Sequence, residues 1–316
     1  MTERVVIFTG YKCNNHCRFC CAGHKRQIGN LSTIQIKRAL EDARKNKATY
    51  VDFIGGEATI RKDIFELVRY AKELGYDTIK TTTNGRMYSY KWFAKIIVEE
   101  GLNGCIFSIH GHNAELHDYL TRSKGAFEQA MQGIRNLQKL GVYVETNTVI
   151  ARPNYKFLPK VEELFIGLGI DNSEFVWLDT DPSGYAFTDF EGMVVTLTEM
   201  EPFLHKTLDI GRKHNIKHIA ANYVPLCYMQ GYENHVVNLF FEPEEIEHRA
   251  KDFVDLDVVK HRKQLARVHG PQCMECKYRN ICEGIWKQYA NKLGFKELRA
   301  IKGEVIKNNE ELMKTV

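Results

Sequence analysis

Proline is scarce at 7 of 316 residues, against 44% hydrophobic and 11% aromatic residues, which excludes disorder, collagen-like repeats and low-complexity linkers. Long hydrophobic runs are missing too, since no stretch approaches the about 18 to 20 consecutive apolar residues of a membrane helix. The start, MTERVVIFTGYKC, has neither a long apolar core nor a small-residue cleavage site, so no signal peptide is expected and VVIF is merely strand-length. An excess of one charge is also absent. The 44 Lys and Arg against 40 Asp and Glu leave +4, too thin a surplus to imply a nucleic-acid partner. Cysteine is the exception: nine residues, an odd number at low density, a poor match to the disulfide framework of a small secreted domain. A reducing, cytoplasmic location is expected, where clustered thiols bind metal rather than each other.

The length suits one large α/β domain or one domain with an appendage. To about residue 179, short β-branched runs alternate with longer amphipathic ones, the pattern of strand–helix repeats in a parallel sheet. Strands are expected at Val5 to Thr9, Tyr50 to Ile54, Thr78 to Thr83, Gly104 to Ile109, Tyr143 to Ile150 and Glu174 to Asp179. Helices are expected near 33–46, 63–74, 89–100, 125–140 and 157–168. A complete eight-stranded barrel takes about 250 residues, so six units predict a partial, open (β/α)6 TIM-like barrel over 1–182. Residues 183–316 change character and are expected to form a cysteine-rich extension, with a helix near 198–214 and one helical tail over Lys287 to Val316 whose charges form a solvated face.

Cys13, Cys17 and Cys20 follow the first strand at spacing C-x3-C-x2-C. They lie at the carboxyl edge of the expected sheet, where parallel α/β folds place their active sites. Three thiolates within eight residues can wrap one cubane iron–sulfur cluster and leave the fourth iron open. A structural zinc site would prefer two separated ligand pairs, although Cys21, His16 or His24 could complete one. The array, with Phe19 before its third cysteine, resembles the signature of the radical S-adenosylmethionine (radical SAM) superfamily. Gly55-Gly56-Glu57-Ala58-Thr59 similarly resembles that superfamily's Gly-Gly-Glu-Pro motif, with Ala58 where proline is usual. The resemblance implies a 4Fe-4S cluster whose open iron is chelated by the amino and carboxylate groups of SAM. It further implies reductive cleavage to a 5′-deoxyadenosyl radical that abstracts a hydrogen atom from a substrate carbon, and an electron donor such as flavodoxin or ferredoxin. On the same footing Phe19, Gly55, Gly56, Glu57, Thr83, Asn84, Ser108, His110 and Arg122 are expected to contact the cofactor. Ser108 and Arg122 are the candidates for the SAM carboxylate and ribose, since a guanidinium is the natural planar partner of a carboxylate. Thr82, Asn147 and Thr148 are further strand-end candidates, and His112 and His117 divide evenly between site and surface.

A second array, Cys273-x2-Cys276-x5-Cys282, again has metal spacing. It resembles the C-terminal element of the SPASM and twitch subgroups, which carry auxiliary clusters, with Cys227 upstream as a fourth ligand. Three cysteines for the first cluster leave six of the nine, and Trp286 occupies the place of the usual final cysteine. One auxiliary 4Fe-4S cluster on Cys227, Cys273, Cys276 and Cys282 is therefore expected. Zinc on the same four is the competitor, and a free Cys227 could leave an iron open for substrate or donate a hydrogen atom to a substrate radical. Cys105 reads as core packing and Cys21 as a neighbour of the first cluster.

The expectation is thus a radical SAM oxidoreductase or maturase that carries out oxidation, bond formation or epimerisation. Its substrate would be a small metabolite or a ribosomal peptide, with Tyr11, Trp177, Asp179, Tyr185 and Tyr223 as candidate lining residues. Nucleic acid and membrane are not expected partners. The alternative from another class is a non-catalytic zinc module that uses both arrays structurally.

Overall fold

A computed structural model describes residues 4–240 and 246–314. The chain divides into two compact units, Met1–Asn147 with Pro243–Val259, and Thr148–Glu242 with Lys260–Val316.

In the first unit, β1 (Arg4–Phe8), β2 (Tyr50–Ile54), β3 (Thr78–Thr83) and β4 (Gly104–Ser108) pair in parallel, and β4 pairs with β5 (Tyr143–Ile150) from Gly104↔Tyr143 to Ser108↔Asn147. The crossovers carry α1 (Thr33–Lys45), α2 (Ile64–Glu73), α3 (Lys91–Glu100), and the pair α4 (Ala114–Thr121) and α5 (Ala126–Lys139). These helices form because their apolar residues recur at three and four. In α2, for example, Ile64, Leu67, Val68 and Ala71 are all fully buried, and each large side chain contributes about 1.5–3 kcal/mol on leaving water. α1 opens on a capping box in which Ser32 and Gln35 satisfy each other's backbone N–H groups. Strands buried on both faces usually read as unbroken apolar runs. Here alternate residues are polar instead: Asp52 accepts from Thr82 at 2.7 Å, and Lys80 pairs with Glu145.

The second unit holds β6 (Asn172–Trp177) and β7 (His218–Asn222), parallel to each other, with the helices Leu158–Gly167 and Leu197–Lys213. The chain then returns to the first unit as β8 (Ile246–Arg249), parallel to β1 on the side away from β2, and β9 (Val254–Asp255), antiparallel to β8. The mostly parallel sheet with helical crossovers is the α/β class expected. Strands β2, β3 and β5 fall at their expected limits, whereas β6 starts two residues early. β7 and β8 escape a sequence reading because His-Ile-Ala-Ala-Asn and Ile-Glu-His-Arg have weak β propensity. The single helical tail is corrected. A helix over Lys287–Leu293 stops at Gly294, whose φ is +71°, and another spans Asn309–Met313. Between them the backbone bonds to Lys277 instead, with Lys277 N–H donating to Ile301 O (2.8 Å) and Ile306 N–H donating to Lys277 O (2.9 Å).

Candidate active site and a second thiol site

The loop after β1 is fixed on two sides within its own unit. On one side Gly56 N–H donates to Gly10 O at 2.7 Å and Glu57 N–H to Lys12 O at 2.9 Å; on the other, His16 and Arg18 N–H groups donate to Thr121 O and Leu120 O at 2.9 Å each. These contacts explain both glycines after β2. A Cβ on Gly56 would lie 2.1 Å from Lys12 O, and one on Gly55, whose φ is +127°, 2.4 Å from Gly10 O. The glycines are thus required by the close approach of two backbones.

Cys13, Cys17 and Cys20 are brought together on that loop, close enough for their charges to interact. Burial pushes the Cys13 thiol up to about 11, with the neighbouring Glu57 adding to the effect, and raises Cys17 likewise. Such thiols keep their protons until a metal displaces them. The surroundings favour that exchange. Asn15 N–H donates to Cys13 Sγ at 3.3 Å and Asn84 Nδ2 lies 3.7 Å from it, while Arg26 lowers both thiols electrostatically. Two arginines that the sequence reading passed over hold the loop: Arg86 donates to Asn14 O, to Asn15 Oδ1 (3.0 Å) and to Gln129 Oε1 (2.6 Å), and Arg26 to Asn15 O (2.6 Å). The one available signal was Arg86's place directly after the Asn84-Gly85 turn. The donor set, three thiols with N–H donors on Cys13 and the Arg26 cation nearby, fits an iron–sulfur cubane with one open iron.

The other expected cofactor contacts separate into committed and available groups. Glu57 is buried, and its carboxylate already accepts from Thr59 N (3.2 Å), Thr59 Oγ1 (2.6 Å), Thr83 Oγ1 (2.7 Å) and Asn84 N (2.7 Å). Glu57 and Thr83 therefore tie β2's turn to β3's end. His110 is buried edge-on to Phe19, with ring centroids 4.7 Å apart, and stacks on His117 at 5.9 Å. Burial lowers both imidazoles, His117 to about 4, so both are neutral near pH 7. His110 N–H donates to His117 Nδ1 at 3.1 Å. Ser108 ends β4 half-exposed, and Arg122, in the left-handed C-cap of α4 at φ +52°, is exposed. Neither side chain makes a hydrogen bond among the described residues, so both are available to a ligand. Tyr11 is buried and bonds to Asp252, and Cys105 is core, beside Thr81.

In the second unit Cys227, Cys273, Cys276 and Cys282 line one small cavity with His269, Arg279 and Arg299. Burial pushes the Cys227 thiol up to about 12, the other three cysteines adding to it, and also raises Cys273 and Cys282. Backbone N–H groups point at the sulfurs: Gly284 donates to Cys282 Sγ at 3.3 Å, and others reach Cys227, Cys273 and Cys282. Among the described residues, no three His, Cys, Asp or Glu side chains converge as a single ion would require, and one zinc draws its thiolates to within about 2.3 Å. A cubane takes each thiolate at a separate corner, which four thiols around a cavity suit.

Comparison with known proteins gives a consistent result. The family model described as "Radical SAM superfamily" matches residues 7–155. The chain is 33% identical over 218 residues to the AdoMet-dependent heme synthase of Oleidesulfovibrio alaskensis, covering 68% of this chain and 55% of that one. It is 30% identical over 225 residues to a probable GTP 3′,8-cyclase of Saccharolobus solfataricus, covering 70% of each. The chain therefore spans only about half the length of the heme synthase. Among solved structures, Streptococcus suis SuiB bound to precursor peptide SuiA superposes with a TM-score of 0.69 at 15% identity, covering 95% of this chain and 75% of that one. That likeness identifies the fold as the partial barrel expected from the strand count.

Proposed function

The chain belongs to the radical SAM superfamily, and from that membership we propose how its own residues serve the chemistry. It is an enzyme that uses AdoMet. In our reading Cys13, Cys17 and Cys20 bind a 4Fe-4S cluster, and the SAM-binding module runs over 1–182. The observation that carries the proposal is the loop itself: three mutually close thiols fixed between the Gly55–Glu57 turn and α4, with Arg26 nearby and N–H donors on Cys13. When bound, the cluster and SAM supply one-electron chemistry that delivers a carbon-centred radical able to take a hydrogen atom. The protein's part is placement. Asn15 and Asn84 donate toward Cys13, Arg86 and Arg26 hold the loop, and Glu57 locks Thr83 and Asn84 in register. Ser108 and Arg122 remain to bind the SAM carboxylate and ribose, and the Phe19–His110 pair excludes water.

We extend the reading to one auxiliary 4Fe-4S cluster on Cys227, Cys273, Cys276 and Cys282, supported by their shared cavity. With all four thiols as ligands, Cys227 is not the hydrogen-atom donor, and the reading favours oxidation or bond formation over epimerisation. The substrate is a small metabolite or a ribosomal peptide. The names of the two relatives, for heme and GTP, support the metabolite. An external carrier such as flavodoxin or ferredoxin supplies the electron, and the zinc-module alternative is not favoured. Anaerobic purification tests the proposal: brown protein with about eight iron and eight sulfide per chain is expected, and colourless protein with zinc would overturn it. With reductant and SAM, 5′-deoxyadenosine should form, disappear in Cys17→Ala and survive in part in Cys276→Ala.

A further inference from the structure

Arg267 lies in a two-residue strand, Arg267–Val268, that pairs antiparallel with Ile285–Trp286 in the second unit. It is 5% exposed. Its guanidinium sits over the Trp286 ring at 4.3 Å and 6.0 Å from that of Trp177. Only Nη2 is used, donating to Tyr223 O at 2.8 Å and Gly284 O at 2.6 Å. Both acceptors belong to residues with left-handed backbone, Tyr223 at φ +67° and Gly284 at φ +77°, so the chain is bent to present those carbonyls. Nε and Nη1 are buried with no partner.

The nearby carboxylates do not supply one. Arg262 takes both oxygens of Glu283, at 3.0 and 2.9 Å. Asp179 accepts from Asp181 N–H at 3.0 Å and makes no ion pair with Arg267 among the described residues. Beside the guanidinium two more donors are orphaned: the indole nitrogens of Trp177 and Trp286 are buried without partners. The Thr180 hydroxyl, which can donate, and the amide acceptor Asn222 Oδ1 are buried and unpartnered as well. Buried polar groups are almost always paired, and a buried cation without a counter-ion is costly. Unpartnered indole donors beside a buried guanidinium that Glu283 and Asp179 reach only electrostatically, without an ion pair, describe a site built for an anion. The position agrees: Trp177 ends β6, Thr180 follows it and Asn222 ends β7, and the carboxyl ends of parallel strands are where α/β folds bind ligands. Asn222 and Tyr223 are half-exposed and give the site its edge.

We propose that Arg267, with the indole N–H groups of Trp177 and Trp286 beside it, binds an oxyanion of the substrate, a carboxylate or a phosphate, between aromatic faces. This deepens the reading of the chain as an enzyme with an external substrate, and rests on it. The test titrates the anaerobically purified holo chain with sodium acetate and with sodium phosphate, against sodium chloride at matched ionic strength, by calorimetry and thermal melting. Saturable binding of one oxyanion is expected, and which one saturates identifies the group. Arg267→Gln should weaken it about tenfold. Trp286→Phe, which keeps an aromatic ring at the guanidinium but loses the pyrrole ring and its N–H, should weaken it a few-fold and decides the matter if Arg267→Gln does not fold. Oxyanion binding no stronger than chloride's, or unchanged in the folded variants, overturns the proposal. A variant that shifts the auxiliary cluster's midpoint potential with unchanged anion binding overturns it as well, since Arg267 would then serve the cluster through Cys282. The titration uses neither SAM nor reductant, so a chain that binds the anion but makes no 5′-deoxyadenosine would refute the radical reading alone.

Discussion

Gly56→Ala is the sharpest perturbation available, because its effect is purely steric. The added methyl would start 2.1 Å from Lys12 O and 2.6 Å from the carbonyl carbons of Tyr11 and Lys12, all short of the 3.0 Å below which real Cβ contacts essentially do not occur. Those atoms are backbone and cannot rotate away, so the loop itself must shift. Relief strains two hydrogen bonds, Gly56 N–H to Gly10 O and Glu57 N–H to Lys12 O, each about 1 kcal/mol, on top of about 1–3 kcal/mol for overpacking. A loss of roughly 3–5 kcal/mol follows, read as a fall of roughly 5–10 °C in melting temperature. The functional effect should be larger than the stability effect. Cys13 adjoins Lys12, and a displacement of order 1 Å at a reacting centre costs about a hundredfold in rate. The assays are iron content, thermal melting and 5′-deoxyadenosine formation without substrate. Gly125→Ala is the control. That glycine has φ +80° and open space around its Cβ position, so alanine there costs roughly 1–2 kcal/mol of backbone strain and should leave iron uptake and rate unchanged. If Gly56→Ala forms 5′-deoxyadenosine as fast as Gly125→Ala does, the interlocked loops do not position the thiols and the reasoning fails.

Removing Arg86 as Arg86→Ala unpairs the Asn14 carbonyl and the Asn15 side chain; iron per chain should drop, and full iron retention would show that the loop holds itself. Thr196→Ala removes the capping box of the helix Leu197–Lys213 and should cost roughly 0.5–2 kcal/mol in a melt while sparing 5′-deoxyadenosine formation. Glu162 is fully buried, bonded to Ser173 Oγ at 2.8 Å with its other oxygen unpaired, and burial raises its carboxyl to about 7. A carboxyl raised in the folded state binds its proton more tightly there. Its stabilisation is therefore complete below the ordinary carboxyl range and is lost as pH rises to about 7. Melting temperature should fall between pH 5 and 8 in the native chain and stay flatter in Glu162→Gln; parallel curves would show that another group governs the dependence.

Periodicity was enough to locate β2, β3, β5 and the helices, because burying one face of a helix or strand is a local demand written into neighbouring residues. It failed for β7 and β8, whose residues have weak β propensity and which are strands because they pair with β6 and β1. The thiols of both arrays were readable because metal ligation needs a fixed residue type at short spacing. The hydrogen bond that Thr83 donates to Glu57 joins the turn after β2 to the end of β3, a pairing that no spacing encodes.

The sequence by itself determined the α/β class, the two cysteine arrays and the family, since each depends on residue identity at short range. Only the tertiary structure decided why Gly56 must be glycine, that Arg26 and Arg86 clamp the first loop, that Cys227 joins the three later thiols around one cavity, and that Arg267 is buried with two nitrogens unpartnered. Those facts concern which atoms lack space or a partner. Burial and pairing arise only after segments tens to hundreds of residues apart in the chain have packed together.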